Sequence, residues 1–265
     1  MATVSKILLL AWAFTSIQTA ANSAQGDAPR AGEHMEFHVW WTKILVGKIK
    51  VTDYGFVERE EGVATSLAHK IQAYTRTDGA VEHLYKDKRK YIGYLKEDHA
   101  PWIFEEWEKN KKKWRLQEWL EFGVEEGVLK RFKKGKLRSE LGISESVYDP
   151  VSAVYALRDK SMEPGDVERM EVTEGKHLYL AEATISEGPT LETIIGSVPT
   201  VEASLVIYWE GEPLGNRTMK VWFTANKDRI PIRLFADCEF GSFTAELIEY
   251  IPPKSEAATQ EEITP

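Results

Sequence analysis

MEFHVWW (residues 35–41) and, after a short connection, VGKIKVTDYGFV (residues 46–57) decide the class of this fold. Met35, Phe37, Val39 and Trp41 fall on one side of an extended chain, and Glu36, His38 and Trp40 on the other. Strict alternation of this kind marks a half-buried β-strand rather than a helix. The connection near Lys43–Leu45 makes the two segments a hairpin, with Gly47 as a bulge or a point of close backbone approach. ATSLAHKIQAYTRT (Ala64–Thr77) alternates less cleanly but is rich in β-compatible residues, and RKYIGYLKE (Arg89–Glu97), WRLQEWLEF (Trp114–Phe122) and GVLKRFKKG (Gly127–Gly135) are further strands. Further strands are expected at about 168–174, 177–186, 190–196, 200–208, 216–224, 229–240 and 243–250, with turns at Asn226–Asp228 and Gly241–Ser242.

One helix interrupts the strands. Asp149 is a good N-cap, Pro150 suits the first helical position, and Val151, Val154, Tyr155 and Leu157 follow at helical spacing. A shorter helical segment is expected over Ala80–Lys86. Many antiparallel strands and little helix imply a mainly β fold: a single curved, mostly antiparallel sheet, an open or partly closed barrel, with one covering helix.

The termini and composition narrow the setting. Lys6, the apolar run Ile7–Ile17 and the small residues Ala20, Ala21, Ser23 and Ala24 form a secretory signal over residues 1–24. Cleavage is expected after Ala24, with Ala21 the next-best position, so a periplasmic or otherwise exported location follows. The apolar run is shorter than the roughly 20 residues that a membrane-spanning helix needs. Residues 33–251 then form a single β domain, and the polar stretch 252–265 an acidic, disordered tail. With Cys238 as the one cysteine, no intrachain disulfide can form, and the domain must be held by its own core. A formal charge of -8 speaks against nucleic acid as a partner.

The segments DPVSAVYALR (Asp149–Arg158), EPGD (Glu163–Asp166), WEGEPLGNRTMKVWFTANKDRIPIRL (Trp209–Leu234) and FGSFTAELIEY (Phe240–Tyr250) together resemble the exported bacterial domain-of-unknown-function family 3108. EFHVWWTKILVGKIKV (Glu36–Val51) resembles the family's opening hairpin. The resemblance implies a β fold and an exported location, and it brings no catalytic residues.

Chemistry is sparse in the sequence itself. His34 and His38 share a side of a strand, but about 13 Å of strand rise separates them, too far for one metal ion. There is no H-E-x-x-H, no Gly-x-Ser-x-Gly elbow and no phosphate-binding glycine loop. The carboxylate pairs Glu60-Glu61, Glu105-Glu106 and Glu125-Glu126 belong to turns and surfaces, because strand neighbours point to opposite faces. Cys238 continues the apolar side of Leu234 and Ala236 and is expected to be buried. No catalytic, cofactor or metal residue is therefore assigned.

A basic and aromatic region stands out in this acidic chain. Trp114 and Trp119 lie close to Lys130, Arg131, Lys133 and Lys134, with Trp102, Phe104, Trp107, Phe122 and Phe132 interleaved. Those six residues are the candidate ligand-binding set. Aromatic faces take apolar chain or sugar, and cations take anionic groups. A solvated hairpin whose lysines resist edge-to-edge aggregation is the structural alternative. The expected function is non-enzymatic binding of a hydrophobic or amphiphilic, lipid-like ligand in the concavity of the sheet. The alternative is a protein- or glycan-interaction module of the cell envelope, with an enzyme of unknown type third. An elongated pocket emptied of side chains would favour the first reading, and a filled interior with an exposed apolar patch the second.

Overall fold

The computed structural model describes residues 30–61, 64–97, 99–214, 218–238 and 241–254, so the expected signal at 1–24 and most of the expected tail at 252–265 lie outside the described residues. The first half of the chain holds β1 (His34–Trp41), β2 (Ile44–Glu61), β3 (Ala64–Thr77), α1 (Ala80–Leu84), β4 (Lys88–Leu95), β5 (Pro101–Asn110), β6 (Lys113–Gly123), β7 (Val128–Lys133) and β8 (Lys136–Gly142). The second half begins with β9 (Val147–Tyr148), α2 (Ser152–Arg158), β10 (Val167–Thr173), β11 (Leu178–Glu187), β12 (Leu191–Thr193) and β13 (Gly196–Val198). It ends with β14 (Thr200–Trp209), β15 (Glu212–Pro213), β16 (Met219–Thr224), β17 (Pro231–Cys238) and β18 (Gly241–Ile251).

One 16-stranded sheet runs β8-β7-β6-β5-β4-β3-β2-β1-β18-β17-β16-β14-β11-β10-β9, with β15 beside β14. The only parallel pairing among the described residues is β9 with β10. The two ends of this order are neighbours in sequence: β8 ends at Gly142 and β9 begins at Val147. Such a link spans at most about 17 Å, so the sheet has rolled until its edges approach without joining. Where they meet, the β10–β11 turn tucks against the other end of the sheet. Ser139 Oγ of β8 donates to Gly175 O at 3.2 Å. A Cβ added at Gly175 would collide with Leu120 of β6 and Arg131 of β7, and the backbone there has φ +92. Only glycine fits that contact and that conformation.

The inner face is filled. Met35, Phe37 and Val39 of β1 alternate into one core with Ile71, Tyr91, Phe104, Leu120, Leu129 and Phe223. The helix does more than cover an opening: Val151, Ala153, Val154, Tyr155 and Leu157 join the same core, so α2 occupies the space inside the roll. Its start differs slightly from expectation, because the regular helix begins at Ser152 rather than Pro150. The Asp149 carboxylate still meets its first N–H groups, accepting from Val151 N at 2.7 Å, Ser152 N at 3.1 Å and Ser152 Oγ at 2.5 Å. At the other end of the helix, Arg158 forms a bidentate pair with Glu33 at 2.6 and 2.7 Å, with both side chains almost completely buried.

Strands β5 and β8 went unanticipated, and the expected strand at 190–196 is instead the separate hairpin β12–β13. PWIFEEWEKN hides its alternation because β5 is covered on both sides. Phe104 faces the main core, while Ile103 packs in a second cluster with Ala68, Ile92 and Tyr94. That second cluster lies outside the roll and is roofed by the tip of the β2–β3 hairpin. Residues 57–61 and 64–68 pair only with each other, beyond the reach of β1 and β4. At the Asp53/Phe56 register break the ribbon turns, bringing Val57 and Ala68 over β4 and β5. Arg59 fixes it there through Glu105 Oε1 at 2.8 Å and by lying 4.1 Å over the Tyr94 ring. At the other hairpin end, Gly47 lies beside a bulge and against Arg76 O, a close approach that admits no side chain. Cys238 is half-buried against the core edge, more accessible than the alternation implied.

An ion row crosses the inner face. Arg89 of β4 pairs with Asp87 at 3.1 Å and with Glu106 of β5, and Glu118 of β6 pairs with Arg131 of β7, one bond at 2.9 Å. Lys133 Nζ adds 3.5 Å to Glu118. Glu105 and Glu106 therefore do point to opposite faces, yet both are buried and neutralised rather than surface charge. Removing one partner would strand a buried charge. Arg131→Gln is expected to destabilise by about 3–5 kcal/mol, whereas Lys130→Gln, one residue away and exposed, should stay within about 0.5 kcal/mol. Urea denaturation of the two variants checks the contrast; equal midpoints would contradict it.

Asp149 gives a second test. Asp149→Ala strips acceptors from buried donors and is expected to cost on the order of 2 kcal/mol, with Asp149→Asn costing less. Burial raises the carboxyl pKa of Asp149 despite its hydrogen bonds to Ser152 and Val151. A raised folded pKa means that the native state keeps this proton to higher pH than the unfolded chain does. Its contribution is most favourable below the unfolded pKa and is lost as pH rises through the folded value. The stability difference should therefore shift toward Asn between pH 3 and pH 7, as measured by thermal melts across that range.

Candidate functional site

Register places the candidate residues on two different faces. Glu121 opposes Lys130, Trp119 opposes Phe132, and Leu120 opposes Arg131 across β6 and β7. Trp119, Glu121, Lys130 and Phe132 thus share the outer face, while Arg131 turns inward to its buried pair with Glu118. Lys133 also leans to Glu118 and keeps a half-exposed ammonium. Lys134 lies in the β7–β8 turn with φ 51, exposed. The basic run is therefore divided between core and surface rather than gathered in one patch.

Trp114 and Trp119 are five residues apart, which on a regular strand would put them on opposite faces. A register shift between Glu106 and Trp107 skips Gln117 in β6 and restores them to one side. Trp114 there meets Lys90 Nζ at 4.5 Å and Lys109 Nζ at 5.7 Å from its ring, with Tyr74 edge-on at 6.0 Å. A second shift, between Tyr94 and Leu95, skips Trp102 in β5. Trp102 then packs with Ile103 in the outer cluster, where Trp107 joins it. Four half-buried indoles consequently lie on the outer face of β5 and β6.

Two of these rings are fixed through their polar edges. Trp107 Nε1 donates to Glu105 Oε2 at 2.8 Å, and Trp119 Nε1 donates to Glu121 Oε1 at 2.9 Å. Trp119 also stacks on Phe132 with centroids 4.7 Å apart and planes at 3°. Beside Glu121 opens a cleft of about 350 Å³. Trp102 and Ile103 supply its apolar wall, and Lys96, Glu125, Glu126 and Lys130 its charged rim. Nearby, burial lowers the ammonium pKa of Lys70, with Lys90 and Arg59 adding repulsion against partial relief from Glu105. Lys70 in turn lies 4.6 Å over the Tyr54 ring.

Trp102 and Trp107 were visible in sequence as interleaved aromatics, but nothing there tied them to Trp114 and Trp119. Glu105, Glu121, Lys90 and Tyr74 gave no local signal, since only cross-strand register makes them neighbours. A separate group joins His34 with Glu36 and Glu249, their donor atoms all within 4.8 Å of one another. Burial raises the Glu36 pKa, but hydrogen bonds from Lys50 and Lys48 outweigh it and hold the carboxyl below its ordinary value.

Comparison with known proteins yields a fold and a family. No curated protein matches the chain. Among solved structures, the chain is similar to a beta-barrel-like protein of domain of unknown function DUF1849 from Brucella abortus, with a TM-score of 0.56 and 8% identity. The match covers 86% of this chain and 100% of the other, and at such identity it concerns the fold alone. The family model described as "Protein of unknown function (DUF3108)" matches residues 38–248, from the middle of β1 to near the end of β18. The resemblance noted in the terminal hairpins and the helix thus extends through the whole rolled sheet, and the chain belongs to the DUF3108 family.

Proposed function

We propose that this protein is a non-enzymatic glycan-binding module of the cell envelope, which uses the outer face of β5–β7 rather than the inside of the roll. The observation that carries this reading is the set of half-buried indoles, Trp102, Trp107, Trp114 and Trp119, on one face with carboxylates and ammonium groups between them. Sugar rings present apolar C–H faces and a rim of hydroxyls. Fixed aromatic planes stack on the former, and carboxylates such as Glu121 accept from the latter. Because hydrogen bonds and stacking already hold two of the rings, little side-chain entropy is lost on binding.

A lipid-like ligand inside the concavity has less support, since α2 and the main core occupy that space. The non-enzymatic part rests on how the facing carboxylates of β5 and β6 are used. Glu106 and Glu118 lie directly opposite each other in register. Each is committed to an arginine, an arrangement suited to packing. Export rests on the N-terminal segment, with its basic residue, apolar run and small residues.

The test is binding of N-acetylglucosamine oligomers, soluble peptidoglycan fragments and a panel of acidic polysaccharides, followed by intrinsic tryptophan fluorescence. Trp119→Ala and Trp102→Ala should each weaken binding about ten-fold, equivalent to about 1.4 kcal/mol. Glu121→Gln should weaken it less, and Lys134→Gln should leave neutral oligomers unaffected. Wild-type protein that takes none of these glycans but binds anionic vesicles would sink the reading, as would tryptophan variants that bind as well as wild type.

A further inference from the structure

Beneath the turn of the β2–β3 ribbon, one buried histidine has partners that do not balance. His69 of β3 and Asp53 of β2 are 3% and 0% exposed. His69 Nε2 lies 2.9 Å from both oxygens of Asp53, and Gly55 N donates to Oδ1 at 2.7 Å. An ionised carboxylate only accepts, so Nε2 carries the proton. The other ring nitrogen, Nδ1, is buried and has no hydrogen-bond partner. If Nδ1 also held a proton, a charged donor would be buried without an acceptor. If it did not, a lone pair would be left unmet, and no cation would be among the hydrogen-bond partners of Asp53. Either arrangement is costly in a dry interior. A cation bound at Nδ1 resolves both.

A second imidazole lies close to the first. His99, in the β4–β5 turn, has its ring centre 6.0 Å from that of His69, with planes at 85°. Two imidazoles on one ion, with metal–nitrogen bonds of about 2.1 Å, have ring centres roughly 5–6.5 Å apart. The backbone at His99 has φ 64, in the left-handed region that histidine enters more readily than most side chains.

We propose that His69 Nδ1 and His99 bind a divalent transition-metal ion of the zinc, copper or nickel kind, with Asp53 as the outer carboxylate that orients His69 and with water completing the coordination. Imidazole nitrogens select these ions over magnesium or calcium. A carboxylate behind a ligating histidine fixes its tautomer and raises its basicity. The charge of the ion also compensates the buried Asp53. The His34, Glu36 and Glu249 group is the poorer site, because Lys48 and Lys50 already satisfy Glu36. Metal binding would fasten the β4–β5 turn to β3, and that turn carries Lys96, part of the rim of the outer cleft.

The experiment uses the full chain without a polyhistidine tag, stripped with chelator and titrated with zinc chloride by calorimetry. One ion per chain is expected. His99→Gly should weaken uptake at least ten-fold while the metal-free melting temperature stays the same or rises, because glycine relieves the left-handed backbone. His34→Ala should bind as wild type does. With copper(II), electron paramagnetic resonance should show nitrogen couplings in wild type, reduced in His99→Gly. Absence of zinc uptake by wild type, unimpaired binding by His99→Gly, or loss of binding in His34→Ala would each overturn the assignment. Glycan binding on the outer face is scored separately, so either proposal can fail alone.

Discussion

Glu33 and Arg158 form the contact on which the arrangement of this protein depends. The guanidinium gives two bonds to the carboxylate, one to Arg229 O at 3.0 Å and one to Asp228 O at 3.2 Å, and lies 5.3 Å from the Tyr155 ring. Tyr250 OH reaches Glu33 at 3.4 Å. One side chain on α2 is thus tied to the start of β1, to the β16–β17 turn and to β18. A buried ion pair contributes modest net stability, because desolvation offsets much of the attraction, but either charge left alone is heavily penalised. Any packing that moved the helix out of register with β1 would expose that penalty. The pair acts as a positional constraint, and it fixes the helix inside the roll.

That placement has functional consequences. A sheet of 16 strands could enclose a large cavity if its interior held only strand side chains. Here Val151, Val154, Tyr155 and Leu157 fill the middle, and the β10–β11 turn presses on Leu120 and Arg131 from the far edge. The proposed glycan recognition is therefore assigned to the outside. There the β2–β3 ribbon, folded back over β4 and β5, builds a second small core. The bulges at Trp102 and Gln117 then turn indoles outward that regular pleating would have sent to the core.

Legibility in the sequence followed solvent contrast. The β1 strand, with a core face and a wetter face, declared itself by alternation. Strand β5, apolar on both faces and carrying Glu105 and Glu106 to separate arginines, did not. Arg131 and Lys130 look equivalent in sequence, yet pleating sends one to Glu118 and the other to water. The acidic partner that makes burial of Arg131 tolerable lies on another strand, 13 residues away in sequence. His69 and His99 likewise share no local spacing that would mark them as neighbours.

By itself, the sequence determined that the chain is mainly β, that Asp149 caps a helix start, and that no disulfide holds the domain. These depend on local chemistry: side-chain period, a carboxylate within reach of the next N–H groups, and a single thiol. Tertiary structure alone decided that the helix lies within the roll, that Trp114 and Trp119 share a face, and that the basic run divides between core and surface. Each of these rests on which strand lies beside which, and on where a one-residue bulge reverses the pleat. Cross-strand register is set by the packing of the whole sheet, so no local window of sequence contains it.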